Sequence, residues 1–146
     1  MKPLFYIING PNINMLGIRE PEHYGSESYE TLKKDLLSKA EKLGVEVEIY
    51  QSNHEGDLVD KIQEAYFKNV SGIVINPAAY THTSIAILDA LKAVRIPAVE
   101  VHISNVDQRE AYRQVSYVSE ACVKRISGHG ILGYSEALEY LAKEYK

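Results

Sequence analysis

Cysteine, tryptophan and long apolar runs are scarce or missing in this sequence. Among its 146 residues there is one cysteine, Cys122, so an internal disulfide and a metal site made of several thiolates are both excluded. No segment approaches the roughly 18 consecutive apolar residues of a membrane-spanning helix. The first apolar run, 4–8, turns polar at Asn9 and is too short for a signal peptide. We therefore expect a cytoplasmic protein with no membrane partner.

An excess of positive charge is also missing. The 16 Lys and Arg residues are scattered among 20 Asp and Glu residues, and the net charge is -4. A nucleic-acid-binding surface would appear as a basic cluster, so we expect no nucleic-acid partner. The composition, 45% hydrophobic and 25% charged, is typical of a globular protein, and the length suits one domain over 1–146.

Short apolar runs alternate along the chain with longer segments of helical periodicity. Strands are predicted at 4–8, 45–50, 72–75, 98–101 and 122–126, and helices at 29–43, around 58–66 and 85–91, at 107–117 and at 138–145. This alternation predicts an α/β fold, namely a flavodoxin-like, doubly wound, five-stranded parallel sheet with helices on both faces. Ligands of such folds bind beyond the carboxyl ends of the strands, so the residues that follow each strand are the candidates for a site.

The connection after the first strand is long and rich in polar and aromatic side chains. It runs over residues 9–25 and includes Asn12, Arg19 and Tyr24. Most strand–helix loops have about 2–6 residues, and much longer ones are often functional. An ordinary surface loop would explain the same residues. Their place at the ligand-binding edge favours the functional interpretation.

The segment after the third strand carries one histidine. His82 and Asp89 are seven residues apart, which predicts that they share one face of the third helix. The alternative is a helix capped by Thr83 or Ser84, with an exposed histidine that does no chemistry.

A carboxylate and an imidazole leave the fourth strand on the same side. Glu100 and His102 alternate with apolar residues, and a Glu beside a His fixes the orientation of the ring and favours its protonated form. This is a common preparation for a general acid or base, although a buried structural pair would look the same. Arg109 and Arg113 are four apart, which predicts a shared helix face that binds an anionic or hydroxylated ligand; pairing with Glu110 is the alternative.

The segment 128–133 matches the pattern G-x-G-x-x-G of dinucleotide-binding proteins. It follows the last predicted strand, however, and the sequence has no second βαβ half and no acidic residue about 20 positions later. These glycines therefore indicate turn geometry.

Three groups of residues resemble the signature motifs of the type II 3-dehydroquinate dehydratases, and the resemblance covers almost the whole chain. The first group is Asn9-Gly10-Pro11-Asn12-Ile13-Asn14-Met15-Leu16-Gly17 with Arg19-Glu20-Pro21 and Tyr24-Gly25; the second is Asn76-Pro77 with Tyr80-Thr81-His82-Thr83-Ser84; the third is Glu100-Val101-His102-Ile103-Ser104-Asn105 with Arg109-Glu110 and Arg113. Three motifs in register are a specific match. Small departures from the family pattern are Ala78, where Gly is more usual, Gln114-Val115, where two histidines are common, and the stretch 129–132.

The resemblance implies a β-elimination of water through an enolate, without metal or cofactor. It implies Tyr24 as the base, with Arg19 supplying the positive charge that favours tyrosinate. His102 is implied as the general acid, oriented by Glu100, and Asn12 as a residue that stabilises the enolate.

The resemblance also implies a set of substrate-binding residues and a homo-oligomeric assembly. The family's usual assembly is a dodecamer built of trimers, in which we expect Asp89 to reach the pocket of a neighbouring subunit. The backbone at Ile103 and Ser104 is expected to meet the substrate carboxylate near a helix N-terminus. The side chains implied in binding substrate hydroxyl or carboxylate groups are Asn76, His82 and Arg113. The competing hypothesis is a non-catalytic flavodoxin-like module that binds a small molecule.

Overall fold

The computed structural model describes residues 1–18 and 27–145, and these residues form one parallel sheet with α-helices on both faces. The elements in chain order are β1 (Leu4–Asn9), α1 (Tyr29–Leu43), β2 (Glu46–Gln51), α2 (Glu55–Phe67), β3 (Gly72–Asn76), α3 (Ile85–Val94), β4 (Ala98–His102), β5 (Lys124–Ser127) and α4 (Leu132–Glu144). Single 3-10 turns lie between several of them, at Ile13–Met15, Ala78–His82, Val106–Gln108, Ala111–Arg113 and Val118–Ala121.

The strand order is β2-β1-β3-β4-β5, and every pairing is parallel. This is the predicted flavodoxin-like, doubly wound order, and the prediction is confirmed. The order changes direction at β1 and β3, which pair side by side along Phe5–Asn9 and Gly72–Asn76. Their carboxyl ends, at Asn9 and Asn76, open the crevice in which such folds bind ligands.

Two apolar cores lie on opposite faces of the sheet. One packs α1 and α4 against residues such as Phe5, Val74 and Val101. The other packs α2 and α3 against the strand residues that alternate with those of the first core, including Tyr6 and Ile73. Because both faces are covered, β1, β3 and β4 are buried almost throughout, and this explains their continuous apolar runs.

Local signals set the ends of α1, which begins and ends where the sequence predicts. The side chain of Ser28 accepts a hydrogen bond from the backbone N–H of Thr31, 3.1 Å away, and so caps the first turn. Gly44 ends the helix in the left-handed conformation, with φ 71°.

The helix predicted at 107–117 is wrong. The chain forms separate 3-10 turns there, with extended backbone at Arg109 (φ -95°, ψ -177°) between the first two. Side chains hold these turns: Asn105 accepts from the N–H of Asp107, and the amide of Gln114 donates to the carbonyls of Asp107 and Arg109. Such side-chain bonds to the backbone compete with a continuous helix.

The last helix begins at Leu132, six residues before the predicted start at 138. The turn before it uses Gly128 and Gly130 at positive φ (82° and 61°), which confirms turn geometry for these two glycines. Gly133 lies inside α4 instead, where an added Cβ would be 3.3 Å from side-chain atoms of both Ile126 and Val101. Its role is close packing of the helix on the sheet. Among the described residues, no helix is long and apolar enough to cross a membrane.

Candidate active site

A pocket lies at the carboxyl edge of the sheet, over the ends of β1, β3 and β4. Eight of the residues implicated by the sequence line it together: Asn12, Asn76, His82, His102, Ile103, Ser104, Arg109 and Arg113. Pro11, Ile13, Ala78, Ala79 and Val106 complete the lining. Residues far apart in the chain are thus brought to one place by the parallel sheet.

The backbone that follows β1 packs closely against the backbone that follows β3. The N–H of Gly10 donates to the carbonyl of Asn76 over 2.8 Å, and a Cβ at Gly10 would lie 2.3 Å from the oxygen of Pro77. Asn12 follows in the left-handed conformation (φ 70°) and donates its backbone N–H to Oδ1 of Asn53 over 3.1 Å. This backbone conformation places Asn12 in the pocket wall.

Glu100 and His102 form the predicted pair on β4. Nε2 of His102 is hydrogen bonded to Oε2 of Glu100. Glu100 is 0% exposed and His102 is 5% exposed. Glu100 also accepts hydrogen bonds from the hydroxyls of Ser116, at 2.7 Å, and Ser119. The carboxylate is thus surrounded by three donors in a dry environment.

These donors decide the protonation state of Glu100. Burial raises the pKa of its carboxyl, but the hydrogen bond and charge of His102 and the two serine hydroxyls outweigh burial, and the pKa lies below its usual value. Glu100 therefore remains ionised and holds the ring of His102, which borders the pocket, by a hydrogen bond. This arrangement can deliver a proton to a ligand in the pocket.

His82 lines the pocket but does not lie on α3. It ends the 3-10 turn Ala78–His82, and α3 begins only at Ile85, because the Ser84 side chain caps that helix by accepting from the N–H of Ile87 at 3.0 Å. The prediction that His82 and Asp89 share a helix face is therefore wrong, whereas the alternative of a Ser84 cap is confirmed. Asp89 is exposed on α3 and does not line the pocket.

The ring of His82 is held by one hydrogen bond and remains neutral more readily than a free imidazole. Its Nδ1 is 2.7 Å from the carbonyl oxygen of Val115. Burial lowers the pKa of His82 and is the largest effect; the hydrogen bond to the Val115 carbonyl opposes it in part, and the nearby His102 and Arg113 lower the pKa further. With Nδ1 donating to that carbonyl, Nε2 of the neutral ring is a hydrogen-bond acceptor.

Arg109 and Arg113 both reach the pocket, although not from a common helix face. They lie on separate parts of the 3-10 region, and that part of the prediction is wrong for the reason given above. Both also pair with Glu110, through Nε–Oε distances of 3.4 Å and 2.8 Å. Hydrogen bonds from Tyr112 and Arg113 lower the pKa of Glu110 to about 2. The pairing anticipated as an alternative is therefore present beside the pocket.

Asn76 ends β3 and is almost fully buried, with 3% exposure. Its Oδ1 accepts from the N–H of Ala78 at 3.0 Å, and its Nδ2 donates to the hydroxyl of Tyr134 at 2.8 Å. Ala78 has φ 54°, a conformation that glycine adopts without cost, and this gives a physical reason for the expectation of Gly at that position.

Three residues that contact the site were missed by the sequence interpretation: Ser116, Ser119 and Tyr134. Tyr134 precedes the predicted start of the last helix, Ser116 lies in the segment taken for a helix, and Ser119 lies between that segment and the strand predicted at 122–126. Arg19 and Tyr24 lie outside the described residues. Within residues 1–18 and 27–145, no group of three His, Cys, Asp or Glu side chains is arranged to hold a metal ion.

Comparison with known proteins identifies the family. The profile of the class II dehydroquinases matches residues 3–142. The chain belongs to this family. Among class II dehydroquinases of known structure, the chain is similar to the type II dehydroquinase from Butyrivibrio crossotus, with 51% identity, a TM-score of 0.95, and coverage of 96% of this chain and 97% of that one.

Two further class II dehydroquinases are also similar to this chain. The type II dehydroquinase from Propionibacterium acnes has 40% identity and a TM-score of 0.94, with 99% of each chain covered. The 3-dehydroquinate dehydratase of Caldicellulosiruptor bescii is 57% identical over 138 residues, which are 94% of each chain. The resemblance carried by the three sequence motifs is therefore confirmed.

Proposed function

We propose that this protein is a 3-dehydroquinate dehydratase that converts 3-dehydroquinate to 3-dehydroshikimate in one catalytic domain over 1–146. The observation that supports it best is the buried Glu100–His102 hydrogen bond at a pocket lined by residues of the three family motifs. Relatives with 49–57% identity carry that activity in their names.

The proposed reaction has two proton transfers around an enolate. Tyr24, as tyrosinate favoured by the charge of Arg19, removes a proton from the carbon next to the ketone. The electron pair forms the enolate, which Asn12 stabilises as a polar donor. The enolate re-forms the ketone and expels the β-hydroxyl, which takes a proton from His102 and leaves as water. No metal or cofactor enters these steps.

The proposed binding residues surround this chemistry. Asn76 and His82 offer an amide N–H and an imidazole to substrate hydroxyl groups, and Arg113 offers a guanidinium group to an anionic or hydroxyl group. The backbone at Ile103 and Ser104 is proposed to meet the carboxylate. The element that directly follows these residues is a short 3-10 turn, Val106–Gln108, and not an α-helix. The assignment therefore rests on backbone N–H groups and not on an α-helix dipole.

The activity is tested by following the conjugated enone product. Purified protein mixed with 3-dehydroquinate should give a rise in ultraviolet absorbance, since the product has a carbon–carbon double bond conjugated to its carbonyl. Protein that binds the substrate without forming enone would instead support the competing hypothesis of a non-catalytic module.

Borohydride should leave the enzyme active in the presence of substrate. The proposed elimination forms no bond between lysine and the ketone, so there is no imine for borohydride to reduce. The measurement is residual activity together with the intact mass of the protein. A mass increase by one reduced substrate molecule, with loss of activity, would falsify the enolate mechanism.

Asp89→Ala should lower kcat/KM although Asp89 is outside the pocket of its own chain. We propose a homo-oligomer, a dodecamer of trimers, in which Asp89 contacts the pocket of a neighbour. Supporting this, Asp89 is exposed on α3, and Ile85, one turn earlier, leaves 48% of an apolar side chain exposed. The control is Asp60→Ala, an exposed carboxylate on α2 away from the pocket. If light scattering shows a monomer and that monomer is fully active, the proposed role of Asp89 across an interface is wrong.

A further inference from the structure

A chain of three buried polar side chains lies beneath the pocket and connects α4 with the ends of β1 and β3. Asn76 donates from Nδ2 to the hydroxyl of Tyr134 at 2.8 Å. Tyr134 in turn donates its O–H to Oδ1 of Asn9 at 2.7 Å. Tyr134 and Asn9 are 0% exposed and do not line the pocket, whereas Asn76 does.

Hydrogen bonds hold the carboxamide of Asn76 at both its oxygen, Oδ1, and its nitrogen, Nδ2. Oδ1 is held by the backbone N–H of Ala78, which also decides which arm is oxygen and which is nitrogen. A carboxamide held at one atom can still turn about its Cβ–Cγ bond, whereas one held at both arms cannot. Since Tyr134 takes one of the two hydrogens on Nδ2, the second N–H has a single direction.

The direction of the bonds along the chain has a consequence for Tyr134. Its O–H hydrogen is used on Asn9, so its oxygen is available to Asn76 only as an acceptor. Complete burial raises the pKa of the Tyr134 phenol, so it remains neutral and keeps that hydrogen. Asn9 therefore fixes Tyr134 in the state that Asn76 requires.

We propose that Tyr134 is a positioning residue that aims the second Nδ2–H of Asn76 at a hydroxyl group of the bound substrate. This inference rests on the proposed role of Asn76 in substrate binding. Tyr134 acts only through Asn76, since it does not itself reach the pocket.

Tyr134→Phe should lower kcat/KM by about tenfold, the value of one neutral hydrogen bond, and most of the loss should appear in KM. The matched control is Tyr6→Phe. Tyr6 is equally buried, and its hydroxyl donates to Glu64 on the other face of the sheet, away from the pocket. Both variants lose a buried hydroxyl and should melt at lower temperature, but Tyr6→Phe should keep wild-type kcat/KM below its melting range.

The same substitution is then made in an Asn76→Ala background. If Tyr134 acts through Asn76, Tyr134→Phe should change kcat/KM less than twofold there. A tenfold loss that persists without the Asn76 side chain would show a general structural effect and overturn the proposal, as would a Tyr134→Phe variant with wild-type KM. Should Tyr134→Phe fail to fold, Asn9→Ala takes its place, because it removes the acceptor that orients the Tyr134 hydroxyl. It should also raise KM, and only when Asn76 is present.

The outcomes also separate this inference from the proposed function. If the wild-type protein forms no enone, the proposed function is wrong. Active wild type with an Asn76→Ala variant of unchanged KM removes Asn76 from the binding residues, and the inference with it. Active wild type, an impaired Asn76→Ala and an unaffected Tyr134→Phe remove the inference alone.

Discussion

His102→Ala should lower kcat by a factor of about 100 or more while KM changes little. The leaving hydroxyl of the substrate is a poor leaving group unless a proton reaches it as the carbon–oxygen bond breaks. That proton is needed in the transition state and not in the bound ground state, so its loss affects kcat more than binding. The measurement is the steady-state rate of enone formation, with binding of a substrate analogue measured in parallel.

The matched control for this variant is His129→Ala. His129 also pairs with a glutamate, Glu136, with 2.7 Å between Nδ1 and Oε1, but its side chain is 55% exposed on the surface. Removing this pair should leave kcat unchanged. If His102→Ala stays within a few-fold of wild type, the acid is elsewhere and the Glu100–His102 pair is structural.

Glu100→Gln separates the charge of Glu100 from its shape. The amide keeps the volume of the carboxyl but gives no charge to favour a protonated imidazole, so kcat should fall. In the His102→Ala background the same change should have little further effect, because the two residues act as one unit. Additive losses in the double variant would contradict this coupling.

Tyr24→Phe should remove most of kcat, because it deletes the proposed base. A free tyrosine has a pKa of about 10, so a base of this kind depends on a neighbouring positive charge. Arg19→Gln should therefore lower kcat as well, by leaving Tyr24 protonated at neutral pH. The double variant should be scarcely worse than either single one. Both residues are assigned from the family motif.

Controls of the same chemistry are available on the surface. Tyr66→Phe changes a tyrosine that is 57% exposed on α2, and Arg95→Gln changes an exposed arginine at the end of α3. Both should keep wild-type rates. The decisive measurement is kcat as a function of pH: Arg19→Gln should recover part of its activity at high pH, where the phenol ionises without help. A substantially active Tyr24→Phe would contradict the assignment of the base.

The parts of this fold that the sequence predicts are those with periodic burial or a local capping signal. The strands over 4–8 and 72–75 are continuous apolar runs because helices cover both faces of the sheet. The first helix is bounded by a serine cap and a glycine, so its ends are encoded within a few residues. The site at the carboxyl edge then follows from the parallel sheet, which collects the residues after each strand.

The other elements depend on contacts that no periodicity records. The turns at 105–114 are held by side-chain hydrogen bonds of Asn105 and Gln114 with the backbone, and an apolar pattern contains no information about these. The importance of Ser119 depends on the burial of Glu100, on a strand 19 residues earlier. Tyr134 likewise matters because of Asn76, 58 residues away.

The contact between Gly10 and Pro77 limits how this protein can evolve. Any side chain at position 10 would have to displace backbone, because an added Cβ would lie 2.3 Å from the carbonyl oxygen of Pro77. The separation of the two loops is therefore a property of the main chain, which point mutations elsewhere in the pocket leave unchanged. Substitutions at Asn12 or Ala78 can alter which groups a ligand meets, but not the close approach of the two backbone segments at Gly10 and Pro77. We expect selection for new substrates to change the polarity and length of these side chains, while the relative position of the two backbone segments stays the same.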